Sequence, residues 1–127
     1  MKAALLIALA GCCGALCRWG FVSWIDRFRG TNHSFPLGIF AVNILGCLIF
    51  GYLVGLGENR NWMSEHIRHL VFTGFLGSFT TFSTFSWNTL ELLKSDQFGM
   101  AMLNIGLSVV IGIAGVWGGY SLATMTR

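Results

Sequence analysis

Four long apolar runs take up most of the sequence: about Ala3 to Ile25, Pro36 to about Gly57, about Ser64 to Leu93, and about Phe98 to Met125. A membrane helix needs about 20 apolar residues to cross a hydrocarbon core of about 30 Å, so each run is long enough. Hydrocarbon offers no water to backbone N–H and C=O groups, and separate segments of this kind can cross it only as helices. At 54% hydrophobic and 10% charged residues, the chain lies far from the roughly 25% charged composition of ordinary soluble domains. The sequence predicts an all-α integral membrane protein: four transmembrane helices forming one domain over residues 1–127 and embedded in a lipid bilayer. The opening "MKAALLIALAGCCGALCRW" has the layout of a signal peptide, but similar runs follow, and it reads as a first permanent span.

Polar punctuation sets the boundaries. The first run ends in the charged turn Asp26 to Gly30, and Pro36, the only proline, suits a first helical turn because no backbone donor is lost there. The second run ends at "ENRN", and Ser64 with Glu65 beside it makes a plausible start for the third. Between helices in lipid, small residues permit the close backbone approach that drives association. Gly51 with Gly55 and Gly115 with Gly119 have that spacing, in a fourth run also carrying Gly112 and Gly118.

Charge excludes some functions and suggests an arrangement. The net charge of +3 comes from scattered cations with no basic stripe, so nucleic acid is not an expected partner. Cys12, Cys13, Cys17 and Cys47 lie in apolar runs without paired spacing and read as small packing residues. His33, His66 and His69 fall in loops or at a span start, and no carboxylate sits near the centre of a span. Neither catalysis nor a proton-coupled pump is supported, because intramembrane ionisable groups ordinarily mark proton and cation pathways. Lys2, Arg60, Arg68 and Arg127 fall on one side of the membrane, against Arg27, Arg29, Lys94 and Arg18 on the other. The cytoplasmic side normally carries the Lys/Arg excess; a balance predicts insertion in both orientations and pairing of opposed copies.

The third run is the unusual one. In "GFLGSFTTFSTFSWN", six of the nine residues from Ser78 to Ser86 are Ser or Thr. A few hydroxyls in a span can bond back to their own helix, but this density beside Gly74 and Gly77 predicts a broken third helix or a water-lined face. Non-helical backbone at membrane depth is tolerated only where protein or a cavity covers it, and freed carbonyls there are natural ligands for a hard cation. At about 100° per residue, Phe82 and Phe85 stand about 60° apart on one face. Phenyl edges are positive and can meet an anion, whereas ring faces would suit a cation. The same stripe also reads as ordinary core packing. Asn43, inside the second run, either bonds a neighbouring helix or offers N–H donors to an anion. Arg18 is either a snorkelling cation or a positive residue in an aqueous vestibule.

Taken together, "GALCRW", "PLGIFAVNILG", "TGFLGSFTTFSTFS" and "FGMAMLNIGLS" resemble the Fluc (CrcB) fluoride ion channels, over essentially the whole chain. The resemblance implies an antiparallel dual-topology homodimer of four-helix subunits in the bacterial inner membrane, with two fluoride pathways and a structural Na+ at the dimer centre. It assigns Phe82 and Phe85 to a phenylalanine box, Asn43 to the pore amide, and Ser83 and Thr84 to hydroxyl donors. It makes the carbonyls of Gly77 and Thr80 sodium ligands, Arg18 the vestibule arginine and Ser108 a pore-lining residue on the fourth span. Ile39 stands where many relatives have Thr and Asn88 where many have Glu, and Gly112 and Val116 bring no hydroxyls beyond Ser108. The implied activity is passive fluoride export conferring fluoride resistance. A small multidrug-resistance-type cation exporter is the alternative, but it needs an embedded carboxylate, normally in the first span, and no Asp or Glu precedes Asp26.

Overall fold

The structure is a computed structural model that describes residues 2–29, 34–58 and 64–125. Arg60, Arg127 and His33, and the side chain of Lys2, lie outside the described residues. No strand occurs among the residues described. Three helices, Ala3–Arg29, Leu37–Gly57 and Phe98–Met125, are long and apolar enough to cross a membrane.

Helix α1 spans Lys2–Arg29, and so it does not end at Ile25: the expected turn at Asp26 is its last helical turn. Arg27 and Arg29 occupy that turn, where cations complement the negative end of the helix. The Arg29 guanidinium also donates to the Phe35 carbonyl at 2.8 Å, tying the end of α1 to the chain entering the next helix. Helix α2 is Leu37–Gly57, with Pro36 at the residue just before it. The Phe40 N–H donates to the Pro36 carbonyl at 3.0 Å, closing the first turn.

The third segment begins with α3, Glu65–Arg68, capped by the Ser64 hydroxyl, which accepts from the Ile67 N–H at 3.4 Å. It continues through a wide π-helical segment, His69–Leu76, into the short α4, Gly77–Phe79. Thr80 and Thr81 are extended, and α5, Phe82–Lys94, follows. At 1.5 Å per residue the pieces on either side of Thr80 and Thr81 are each roughly 20 Å long. Neither covers a core of about 30 Å by itself. Asp96, in left-handed backbone (φ 57°), turns the chain into α6, Phe98–Met125; Asp adopts this conformation more readily than most residues.

The most extensive packing is between α2 and α6, while α1 lies against the π segment and α4, and α5 against α6. Two glycines explain how closely α2 and α6 approach. A Cβ on Gly51 would run into the Val116 backbone carbonyl, and one on Gly119 into the Leu48 carbonyl. Cys47 is half-buried on the same seam, its Cβ 3.5 Å from where a side chain at Gly115 would begin. Cys12, Cys13 and Cys17 are exposed and do not pack within the chain: they lie on the part of α1 that turns away from its neighbours. Val42, Ala101 and Ala123 are fully buried, whereas Trp19, Ile113 and Trp117 point outward, as expected where lipid or another apolar surface is the surroundings.

Candidate functional site

The site is built around the two extended residues. Thr80 still closes onto the preceding helix, its N–H and hydroxyl both donating to the Leu76 carbonyl at 3.1 and 3.0 Å. Thr81 does not. In a continuous helix its N–H would meet the Gly77 carbonyl; instead it donates to Asn43 Oδ1 at 2.8 Å. Asn43 Nδ2 donates in turn to the Thr81 carbonyl at 3.1 Å. The amide of α2 thus acts as a one-residue strand partner for the buried Thr81 backbone. Of the two expected uses of Asn43, bonding a neighbouring segment is realised, while the second N–H on Nδ2 remains as a donor.

The Thr81 hydroxyl starts the next helix. It accepts from the Thr84 N–H at 3.3 Å and lies 3.1 Å from Thr84 Oγ1 and 3.3 Å from Ser83 Oγ. Leaving a buried polar group unpaired costs about 1–3 kcal/mol. Asn43→Leu strands both Thr81 groups and is therefore expected to destabilise the protein by roughly 2–6 kcal/mol. Asn43→Gln keeps an amide with both an acceptor for the Thr81 N–H and a donor for its carbonyl, and should lose less. Thermal unfolding in detergent, followed by circular dichroism, ranks the two; equal losses would show that the paired amide is not what matters.

Beyond the break, the rings of Phe82 and Phe85 lie 5.6 Å apart between centroids and tilted by 40°. Both face a cavity of about 390 Å³ whose wall also includes Asn43, Thr80, Thr81 and Ser108. The Ser108 hydroxyl is buried there with no hydrogen-bond partner among the described residues. Phe82 is 79% exposed, so the cavity opens outward at that ring. Thr84 lines a different cavity, of about 580 Å³, together with Ile39, Asn88, Asp26, Arg29 and Glu91. The expected residues therefore divide into two groups joined through Thr81, and the two departures, Ile39 and Asn88, both fall in the second. Ser83 is exposed, and its hydroxyl lies beside that of Thr81.

Arg18 reaches the break: its Nη1 lies 3.5 Å from the Thr80 carbonyl oxygen. The Gly77 carbonyl has lost its helical partner, because the Thr81 N–H has turned to Asn43. Neutral carbonyl oxygens at the C-terminal end of a half-helix are a donor set that fits a hard monovalent cation. Two such oxygens are only part of a coordination shell.

One pair escaped the sequence reading. Asn104 of α6 is 1% exposed, and its Nδ2 donates to Thr89 Oγ1 at 2.9 Å. The Thr89 hydroxyl donates to the Phe85 carbonyl at 2.8 Å. The available signal was the one that drew attention to Asn43, an amide inside an apolar run, here in "MAMLNIGLS".

Apolar helices of spanning length, with polar donors gathered around a helix interruption, define a multi-pass membrane protein. The sequence model of the family described as "CrcB-like protein, Camphor Resistance (CrcB)" matches residues 5–120. The "Fluoride-specific ion channel FluC" of Maridesulfovibrio salexigens is 43% identical over 121 residues, covering 95% of this chain and 94% of that protein. The protein of the same name from Nitratidesulfovibrio vulgaris is 41% identical, covering 92% and 93%; that from Methylobacillus flagellatus is 40% identical, covering 99% and 98%. The chain belongs to the CrcB family. It is a multi-pass membrane protein of the kind found in the bacterial inner membrane.

Proposed function

We propose that the chain is a fluoride-selective channel that lets cytoplasmic fluoride leave the cell passively, down its electrochemical gradient. The observation that carries this reading is the Ser108 hydroxyl, buried without a partner in the wall it shares with Asn43, Phe82 and Phe85. A buried donor left unmade is costly unless a ligand or water takes it up. The names of the relatives point to the same ion. Small F⁻ exchanges its water for the Ser108 hydroxyl, the free N–H of Asn43 and the positive edges of Phe82 and Phe85. Ser83, Thr84 and the Thr81 hydroxyl continue the donors towards the second cavity, and binding stays weak enough at each position for the ion to leave. HF enters cells as a neutral acid and dissociates inside; a negative interior then drives the anion out, with no coupled energy source.

The working unit is an antiparallel homodimer of four-span subunits, the third span being α3 through α5 interrupted at Thr80 and Thr81. Phe82, exposed at the open side of its cavity, supports a second copy completing the wall. The Gly77 and Thr80 carbonyls of each copy would hold Na+, which would supply a fixed positive charge at the join. Arg18, beside Thr80, adds a cation that draws anions towards the same region.

Purified protein in sealed liposomes should release fluoride, read with an ion-selective electrode, while chloride stays trapped. Comparable chloride release would overturn the selectivity, and no release of either would overturn the channel.

A further inference from the structure

We propose that Asn104 and Thr89 form a buried hydrogen-bonded pin that fixes the position of Phe85 against α6, making both positioning residues for fluoride passage. The inference rests on the channel reading for its functional consequence, but not for the pin itself.

The geometry is a relay of two bonds. Asn104 Nδ2 donates to Thr89 Oγ1 at 2.9 Å, and that hydroxyl donates to the Phe85 carbonyl at 2.8 Å. A hydroxyl has one proton to give and lone pairs to receive with. Because the Asn104 N–H occupies the acceptor side, the Thr89 proton is directed at Phe85. Both residues are buried, Asn104 to 1% and Thr89 to 8% exposure, so water does not replace either bond, and hydrogen bonds in such surroundings reinforce one another.

Position gives the relay its purpose. Asn104 lies one turn before Ser108 on α6, and residues four apart share a helix face. Thr89 lies one turn after Phe85 on α5. The pin therefore sets the height of Phe85 relative to Ser108, two groups that line the same cavity. Helix α5 follows an interruption, so a slide of α5 along α6 would part ring from hydroxyl.

The test compares Thr89→Val, which keeps the shape and removes the hydroxyl, with Thr89→Ser, which keeps the hydroxyl. Thr89→Val and Asn104→Leu are each expected to lower fluoride flux in liposomes by about fivefold, the effect of one lost hydrogen bond. Thr89→Ser should stay within about twofold of the parent, and the Thr89→Val/Asn104→Leu double variant should be little worse than either single change, as for members of one network. Parallel samples carrying 4-fluorophenylalanine at position 85 report the ring directly: its 19F resonance should shift or broaden in Thr89→Val and keep its place in Thr89→Ser. An unchanged resonance in Thr89→Val, or equal losses of flux in the Val and Ser variants, overturns the pin. If the parent protein passes no fluoride, the functional reading fails, while the 19F comparison still decides whether the pin exists.

Discussion

Phe85→Ile is expected to lower fluoride efflux from liposomes by up to about tenfold, while the protein elutes as the same species in detergent. An aromatic ring in a favourable edge-on arrangement contributes about 0.5–1.5 kcal/mol beyond its buried area, and 1.4 kcal/mol corresponds to about a factor of ten in rate. Isoleucine is of comparable bulk and fully apolar, so it keeps the wall filled but offers the ion no positive edge. Phe82→Ile tests the same idea with less structural risk, because that ring is 79% exposed within the chain and supports little of its core. Both substitutions should reduce flux. Unchanged flux in both would mean that the stripe of phenyl rings is packing material, the plainer of the two readings that its spacing allows.

A larger loss is expected from the α2–α6 seam. Gly51→Val places branched carbon against the Val116 backbone carbonyl, and Gly119→Val does the same against that of Leu48. Overpacking against flexible side chains costs about 1–3 kcal/mol, occasionally more. Here the obstacle is backbone on a neighbouring helix, so relief requires the two longest-packed helices to separate. Neither variant should yield a monodisperse species on size-exclusion chromatography. Gly106→Ala provides the control, since nothing lies within 4 Å of an added Cβ there, and it should behave like the parent. Folded, active Gly51→Val protein would show that the seam is looser than its geometry implies.

Periodicity and composition carried much of the architecture. Leu37–Gly57 and Phe98–Met125 follow the apolar runs nearly residue for residue, because a span in lipid must be apolar throughout and its ends are marked by Pro36, Glu58 and Phe98. The charged residues after Ile25 have the look of a turn, yet α1 continues through them because Arg27 and Arg29 stabilise a helix terminus. The density of hydroxyls around Thr80 was a readable sign of irregular backbone. What it could not supply was the partner: the pairing of Asn43 with Thr81 joins residues 38 apart, and no local pattern specifies it. The π segment His69–Leu76 was equally invisible, since its sequence is as apolar as any α-helical span. Asn104 was legible in principle, but an amide in a span announces only that it needs a partner, not that the partner is Thr89.

The reciprocal bonds between Asn43 and Thr81 also bear on how the chain enters the membrane during synthesis. The third segment contains no uninterrupted helix of spanning length, and its exposed N–H and C=O at Thr81 would face hydrocarbon if it entered alone. The second segment emerges from the ribosome first and carries the amide that satisfies both groups. Lateral release of the third segment into lipid is therefore expected to need the second already standing beside it, so that the two insert as a unit. A substitution at Asn43 then acts twice, once on the finished protein and once on the yield of correctly inserted chains.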